Sequence, residues 1–231
     1  MKNPTVNKKR MERPTRILEA AGRLMTRYGF DKTTVDEIAK EAGVSKGAIY
    51  LVWPGKEELV DALIEFEMKK VMLDLRSRIL ADEKSDSIAV LYRHSLLSIQ
   101  QNPLVSALYT RDGKILGNFV HRQDPERYTK RLLMSKEAVA GMQSAGLLRD
   151  DLSAEVITYL FSIMAWGFLS ISSVIPVENA PPIDSTVEAI AAMVENGLTR
   201  PGSNRSLIKE STLQMLDLMV EQYEKREEHA K

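Results

Sequence analysis

The sequence contains no cysteine among its 231 residues. Disulfide bonds, thiol nucleophiles and thiolate metal ligands are therefore excluded, which is in keeping with a reducing compartment. No apolar run follows the basic N-terminus, so we expect no secretory signal and a cytoplasmic protein. Motifs of enzymes are lacking as well, since there is no G-x-S-x-G elbow, no P-loop and no H-E-x-x-H pair. We expect a protein that is not an enzyme and that has no cofactor and no metal site.

Strand patterns are also scarce, because no convincing run of alternating apolar and polar residues occurs. Apolar residues instead recur at spacings of three and four, which is the period of amphipathic helices. The sequence therefore predicts an all-α fold. Between glycine and proline breakers, the predicted helices lie near residues 14–28, 34–42, 46–51, 56–80, 85–101, 103–109, 125–144, 153–175, 184–198 and 206–228, with a short helix in 112–123.

The charge is balanced over the whole chain but not along it. Residues 1–56 contain twelve Lys and Arg against six Asp and Glu, which leaves twenty against twenty-six for residues 57–231. A basic head on an acidic body indicates a polyanion bound at the N-terminal end. Residues 1–13 are polar and basic, and we interpret them as a flexible arm without regular structure.

Residues 33–56 predict two short helices around a tight turn. Thr34 followed three residues later by Glu37 fits a capping box, the start of a helix. Gly43 lies where that helix must end, and Ser45 can cap the next one. Two small helices joined by a turn that contains glycine form a helix-turn-helix, whose second helix lies in the major groove of DNA.

This segment resembles the DNA-binding end of the TetR (tetracycline-repressor) family of bacterial regulators. The spacing Gly-x-x-Tyr-x-x-aromatic-x-x-Lys-x-x-Leu carries the resemblance most strongly, and the matching residues are Ile17, Ala20, Ala21, Gly29, Thr33, Thr34, Ile38, Ala39, Ala42, Gly43, Val44, Ser45, Gly47, Tyr50, Trp53, Lys56 and Leu59. The resemblance implies a three-helix DNA-binding domain at 14–60 and a larger helical ligand-binding and dimerisation domain at 61–231.

The DNA-binding candidates divide by role. We assign Ser45, Lys46, Ala48 and Leu51 to the groove-facing side, where Leu51 can meet a thymine methyl group. Gly47 is a further DNA-binding candidate. The resemblance assigns Thr34, Tyr50 and Lys56 to phosphates. A cation at the first position of a helix opposes the helix dipole, so we interpret Lys56 as a phosphate ligand and not as a local stabiliser.

Residues 156–177 carry no charge and are long enough to cross a bilayer. No Lys or Arg cluster flanks them, and several hydroxyl side chains interrupt them, so we expect a helix buried within the protein or in a dimer interface and no membrane partner. Core packing within one protomer is the alternative. The candidate dimer contacts are Ser162, Ala165, Gly167, Val187, Ile190 and Val194.

Aromatic and histidine side chains in the body are candidates for a ligand pocket, with ordinary core packing as the alternative. They are Tyr92, His94, Phe119, His121, Tyr128, Phe161 and Trp166. Taken together, the patterns lead to the hypothesis of a homodimeric repressor that leaves a pseudo-palindromic double-stranded DNA operator when a small apolar or amphipathic effector binds. An effector-independent or activating DNA-binding regulator is the alternative, and a membrane-attached helical protein is a more distant one.

Overall fold

The computed structural model describes residues 4–83, 85–122, 136–203 and 206–229. The fold is all-α, and within these ranges the extended pairing is one isolated bridge between Leu148 and Thr199. The helices are α1 (Pro4–Tyr28), α2 (Val35–Ala42), α3 (Lys46–Tyr50), α4 (Lys56–Ala81), α5 (Ile88–Gln100), α6 (Pro103–Thr110), α7 (Gly113–Leu116), α8 (Phe119–Arg122), α9 (Lys136–Ser144), α10 (Ala154–Ser170), α11 (Ile183–Gly197) and α12 (Ser206–His229), with 3-10 turns at Ile171–Ser173 and Val177–Asn179.

The start of α1 differs from the sequence-based expectation. The helix begins at Pro4 and passes through Pro14, whereas the sequence predicts a flexible arm up to residue 13. Lys, Arg, Met and Glu all have high helix propensity, so a segment without an apolar period can still continue a helix. Proline is also well tolerated in the first turn, where its missing N–H would have no partner.

The described residues form two compact units that do not follow the order of the chain. The N-terminal unit consists of residues 4–70, 103–122 and 221–229, and the second unit consists of 71–83, 85–102, 136–203 and 206–220. Residues 103–122 therefore pack with the N-terminal unit, although the sequence placed them in the second domain. Helix α4 is continuous and contributes residues to both units.

The core of the N-terminal unit joins α1 to the helices that follow it. Ile17, Ile38 and Leu59, one each from α1, α2 and α4, are fully buried. Residues 103–122 close the unit on another side, where the Phe119 ring lies 5.5 Å from that of Phe30 and the N–H of Phe30 donates to the carbonyl of Ile115 at 2.7 Å. Helices α1, α2 and α4 are thus held against a single apolar interior.

The core of the second unit lies among α4, α5, α10 and α11. It contains Ile79, Leu96, Ile157 and Val194, each at most 1% exposed. The span Ala154–Ser173 is long and apolar enough to cross a membrane by length and composition, and 22% of it is buried. The sequence predicted that this helix is buried within the protein or in a dimer interface, and the protomer itself covers only one of its faces.

Candidate nucleic-acid interface

The start of α2 is the capping box that the sequence predicts. The backbone N–H of Thr34 donates to Glu37 Oε2 at 2.8 Å, and the N–H of Glu37 donates to Thr34 Oγ1 at 3.2 Å. These bonds satisfy two N–H groups that the first turn of a helix leaves without partners. Hydrogen bonds from the hydroxyl and the backbone of Thr34 lower the pKa of Glu37, so the carboxylate is ionised at neutral pH.

The turn between α2 and α3 depends on Gly43. Its φ of 64° lies in the left-handed region, and the N–H of Val44 returns to the carbonyl of Ala39 at 3.0 Å. This geometry ends α2 in the Schellman pattern. Ser45 then caps α3 by accepting the N–H of Ala48 at 3.2 Å. The predicted helix-turn-helix is present, and local contacts specify its geometry.

Helix α3 buries one residue and exposes most of the others. Ile49 is 1% exposed and anchors the helix, whereas Leu51, which follows its last residue, is 87% exposed. Ser45, Lys46, Gly47 and Tyr50 are also exposed, and Ala48 is half-buried. Three of the four groove-facing candidates, together with Gly47 and Tyr50, are thus accessible to a macromolecule.

Lys46 is held in place by acidic and aromatic neighbours. Its Nζ lies 2.7 Å from Asp36 Oδ2 and 6.0 Å from the centroid of the Tyr50 ring. The hydrogen bond with Asp36 raises the pKa of Lys46, which remains a cation at neutral pH. Because this pair is exposed, its attraction is weak and a phosphate or base edge can replace Asp36.

Lys56 has a role that the sequence argument excluded. Its amine donates to the carbonyl oxygen of Phe30 and lies 4.0 Å from the centroid of the Phe30 ring. Burial lowers its pKa, against the opposing attraction of Asp31 and Glu37. The carbonyl and the ring offset the unfavourable helix dipole, so the expectation that Lys56 lacks a stabilising role is wrong.

The other two phosphate candidates differ in how accessible their hydroxyls are. Thr34 is exposed, but its hydroxyl already donates to Glu37 Oε2 at 2.8 Å within the capping box. Tyr50 is 44% exposed, and its ring faces the Lys46 amine. A phosphate can thus reach Tyr50 directly, whereas at Thr34 it must share the hydroxyl with Glu37.

The ligand candidates are dispersed. Tyr92 and Phe161 lie together in the second unit, with ring centroids 4.9 Å apart and the Tyr92 hydroxyl donating to the Phe161 carbonyl at 2.6 Å. Phe119 belongs to the N-terminal unit, and Trp166 is 57% exposed on α10. Tyr128 and the side chain of His121 lie outside the described residues.

His94 lies at a polar cleft where α4 ends. The cleft has a volume of about 500 Å³ and is lined by Arg78, Ala81, Asp82, Glu83 and His94. His94 Nε2 is 2.9 Å from Asp82 Oδ2, so the ring nitrogen must carry the proton in that bond. His94 Nδ1 is buried without a partner among the described residues. The sequence singled out His94 but not Arg78 and Asp82, because their proximity depends on how α4 and α5 pack.

The dimer candidates mostly point into the protomer. Val187, Val194 and Ala165 belong to the buried core of the second unit. Ser162 and Ile190 are half-buried, and Gly167 is exposed. Exposed apolar side chains occupy the opposite face of α10, the stretch that follows it and part of α11. They are Val156, Tyr159, Ile163, Trp166, Ile171, Val174, Ile175, Ile183 and Met193.

The geometry at residues 34–56 is that of a helix-turn-helix DNA-binding protein. Residues 17–63 match the family described as "Bacterial regulatory proteins, tetR family". The DNA-binding segment of this chain is therefore that of the TetR family. The expectation drawn from the sequence resemblance is thereby confirmed.

Among sequence relatives, the chain is 30% identical over 125 residues to the uncharacterised HTH-type transcriptional regulator YuxN of Bacillus subtilis. That match covers 54% of this chain and 42% of the relative, so the chain spans less than half of the length of that protein. An uncharacterised regulator of the same type from Mycobacterium bovis, Mb1581, is 26% identical over 189 residues, which cover 77% of this chain and 83% of the relative.

Solved structures share the fold beyond the DNA-binding end. A TetR-family regulator from Marinobacter aquaeolei has a TM-score of 0.57 at 18% identity, covering 84% of this chain and 99% of that one. SmeT in complex with triclosan has a TM-score of 0.61 at 18% identity, covering 82% of this chain and 92% of that one. At 18% identity this structural similarity establishes the fold alone.

Proposed function

We propose that the protein is a homodimeric transcriptional repressor that leaves its operator when a small amphipathic effector binds to the second unit. The observation that carries the proposal is the presentation of α3. A capped, glycine-terminated α2 orients a helix whose exposed side combines the cation of Lys46 with the apolar tip of Leu51. Cations meet phosphates or guanine edges, and an apolar tip meets a thymine methyl group.

In this proposal Lys46, Gly47 and Leu51 lie in the major groove and the Tyr50 hydroxyl contacts a phosphate. Ser45 and Thr34 contribute mainly by capping α3 and α2, which orients the helices on the DNA. Lys56 reaches a phosphate only by exchanging the Phe30 carbonyl for it, since the amine is held there in the free protein.

The exposed apolar side chains on α10 and α11 support the dimer. Tyr159 and Trp166, 69% and 57% exposed, lie two turns apart on the same side of α10. Large aromatic groups open to water on one helix face mark an interaction surface. A second copy covers such a face in an isologous pair, and the resulting twofold symmetry matches a pseudo-palindromic operator. A bilayer is the weaker account because acidic residues, and not Lys or Arg, flank the helix. We therefore assign the protein to the cytoplasm.

The cleft beside His94 supports an effector site. It is an open depression lined mainly by Arg78, Asp82, Glu83 and His94, whose polar groups can meet the polar end of an amphipathic molecule. The solved SmeT structure contains triclosan in a protein of similar fold. Effector binding would favour a dimer whose two α3 helices no longer match half-sites about one DNA turn apart.

Selection of duplexes from a random pool tests the DNA-binding role of α3. We expect the wild-type chain to enrich a pseudo-palindrome. In the selected duplex, Leu51→Ala should lower affinity about tenfold and relax preference at one base pair of each half-site, because its apolar contact is lost. Filter binding with single-base variants measures both effects.

Leu73→Ala is the matched control, since Leu73 is an exposed leucine of the second unit. It should bind the selected duplex as the wild type does. If Leu51→Ala retained the wild-type base preference, the groove-facing assignment of α3 would be wrong.

Release of the duplex by a compound that raises the melting temperature of the protein would support the effector role. Coupling between the two sites requires that DNA weakens the binding of that compound by the same factor. If none of the compounds that stabilise the protein releases it from the duplex, an effector-independent regulator is favoured.

A further inference from the structure

The last helix, α12, is bound to the second unit by an apolar face. Ile208 and Leu216 are each 1% exposed, and Leu213 packs against the same core. The spacing of these residues places them on one side of a helix. Burial of that side stabilises the packing of α12 on the second unit. An apolar stripe alone does not define the direction or the register of a helix.

Polar contacts with α4 and with Asp82 just beyond it define the direction and the register of α12. In the second unit, Arg76 Nε donates to Asp217 Oδ1 at 2.6 Å, and Lys209 Nζ donates to the carbonyl of Asp82 at 2.9 Å. In the N-terminal unit, Lys69 Nζ lies 3.3 Å from Glu224 Oε1. The partners on α12 rise in number, from 209 through 217 to 224, as those on α4 fall, so the two helices run antiparallel.

The charges are arranged so that this direction is favoured. Helix α4 presents the cations of Lys69 and Arg76 to carboxylates of α12, and Lys209 meets a carbonyl just beyond the C-terminal end of α4. That end carries the negative pole of the helix dipole, which favours a cation. A parallel α12 would bring Lys209 towards Lys69. The pair Arg76–Asp217 is open to solvent on both sides, so its attraction is weak and is screened by salt. In the pair Lys69–Glu224 the carboxylate is exposed and the lysine is mostly covered.

We propose that α12 is a salt-sensitive strap that holds α4 in the conformation that binds the operator. This inference rests on the proposed function. Leu59, Val60 and Leu63 of α4 are fully buried in the core of the DNA-binding unit. A helix that is restrained along its length has less conformational entropy to lose when that unit binds DNA. Weakening the strap therefore lowers operator affinity without altering any DNA contact.

Charge reversal in the full chain tests the strap through the pair Arg76–Asp217. Hydrogen–deuterium exchange of the α12 amides reports docking without DNA. Arg76→Asp and Asp217→Arg should each raise exchange across α12 by about threefold, since attraction is replaced by repulsion. The double swap, Arg76→Asp with Asp217→Arg, should restore protection. Raising the salt concentration should increase exchange in the wild type and have less effect on either single reversal.

The pair Arg200–Asp150, 3.2 Å apart and also exposed, is the control, and its reversal should leave α12 exchange unchanged. Operator affinity should fall about threefold in each single reversal at Arg76 or Asp217 and return in the swap. Unchanged α12 exchange in the single reversals, or a swap that fails to restore it, would overturn the strap. Altered exchange with constant operator affinity would overturn its regulatory role. A wild-type chain that binds no duplex would refute the proposed function, while the exchange measurements would still decide the docking.

Discussion

Gly29 shows how one residue without a side chain allows two backbone segments to meet. Its φ is 83°, and a Cβ atom there would lie 2.3 Å from the carbonyl oxygen of Lys114. Next to it, Phe30 donates to Ile115, and the buried hydroxyl of Thr33 donates to the Gly29 carbonyl at 2.8 Å. The close approach joins the end of α1 to the segment that carries α7.

Gly29→Ala should therefore destabilise the fold by about 2 kcal/mol or more, because it combines left-handed strain with a collision. Urea denaturation measures the loss. Gly141→Ala is the control, since Gly141 lies within α9 with nothing near the added Cβ, and it should stabilise the protein by up to about 1 kcal/mol. Equal effects of the two substitutions would contradict the role of Gly29.

His94 leads us to expect that the stability of the second unit depends on pH. Burial lowers the pKa of its ring and Arg93 lowers it further, while the hydrogen bond to Asp82 raises it. The folded-state pKa is thus below the unfolded value near 6.5. Between these two pKa values the unfolded chain binds more protons, so stability is complete above about pH 6.5 and is lost as the pH falls through the folded-state pKa.

His94→Gln should reduce this pH dependence, because an amide can donate to Asp82 but does not titrate. Melting temperatures between neutral and mildly acidic pH measure the effect, and the decline in the variant should be smaller than in the wild type. His229→Gln, the same substitution at the last residue of α12, should decline as the wild type does. A decline in His94→Gln as steep as that of the wild type would place the titrating group elsewhere.

At the scale of single elements, prediction from the sequence succeeded where the signal is local. Thr34, Glu37, Gly43 and Ser45 determine the boundaries of α2 and α3 through bonds within a few residues of one another, and these bonds are present. Helix α4 was likewise predicted to within a residue of each end. The contact of Lys56 with Phe30 joins residues 26 apart, so an argument from the helix dipole alone could not include it.

Helix α10 shows what periodicity cannot decide. It is apolar on nearly every side, so its sequence predicts a helix but does not distinguish the face covered by its own protomer from the face left open. Ala165 was predicted as a dimer contact and lies in the core, whereas Tyr159 is exposed. The same ambiguity affects α11, where Val187 and Val194 follow a helical period but pack inward. Small and β-branched residues suited either role.

At the scale of the whole molecule, chain order conceals which segments pack together. Residues 103–122 join the N-terminal unit because Phe119 and Ile115 contact Phe30, more than eighty positions earlier. The breaker Asn102-Pro103 marks where this segment begins but does not show which unit the segment joins. The predicted boundary at residue 60 rested on the extent of a motif. Burial of separate segments in one core is determined by tertiary packing, which a single sequence does not display.

The proposed dimer yields a prediction at this scale. Trp166→Lys combined with Tyr159→Lys places two cations on the exposed face of α10 and should convert the dimer to a folded monomer, because desolvating unpaired charges is unfavourable. Sedimentation velocity measures the change. Binding to the paired half-sites should weaken more than binding to one half-site.

Leu73→Lys is the control for this double substitution, since Leu73 is an exposed apolar residue of the second unit outside α10 and α11. It should sediment as the wild type does. Persistence of the dimer in the double variant would place the interface on another surface of the protomer.

The positions of the two tryptophans have a practical consequence. Trp53 is 5% exposed in the DNA-binding unit and Trp166 is 57% exposed on the open face of α10. A buried indole emits at shorter wavelengths than a hydrated one, so the two fluorophores are spectrally distinct in the protomer. With Trp166→Phe the remaining emission follows the DNA-binding unit, and with Trp53→Phe it follows subunit association. The chain thus carries a native optical label for each of its two proposed binding events.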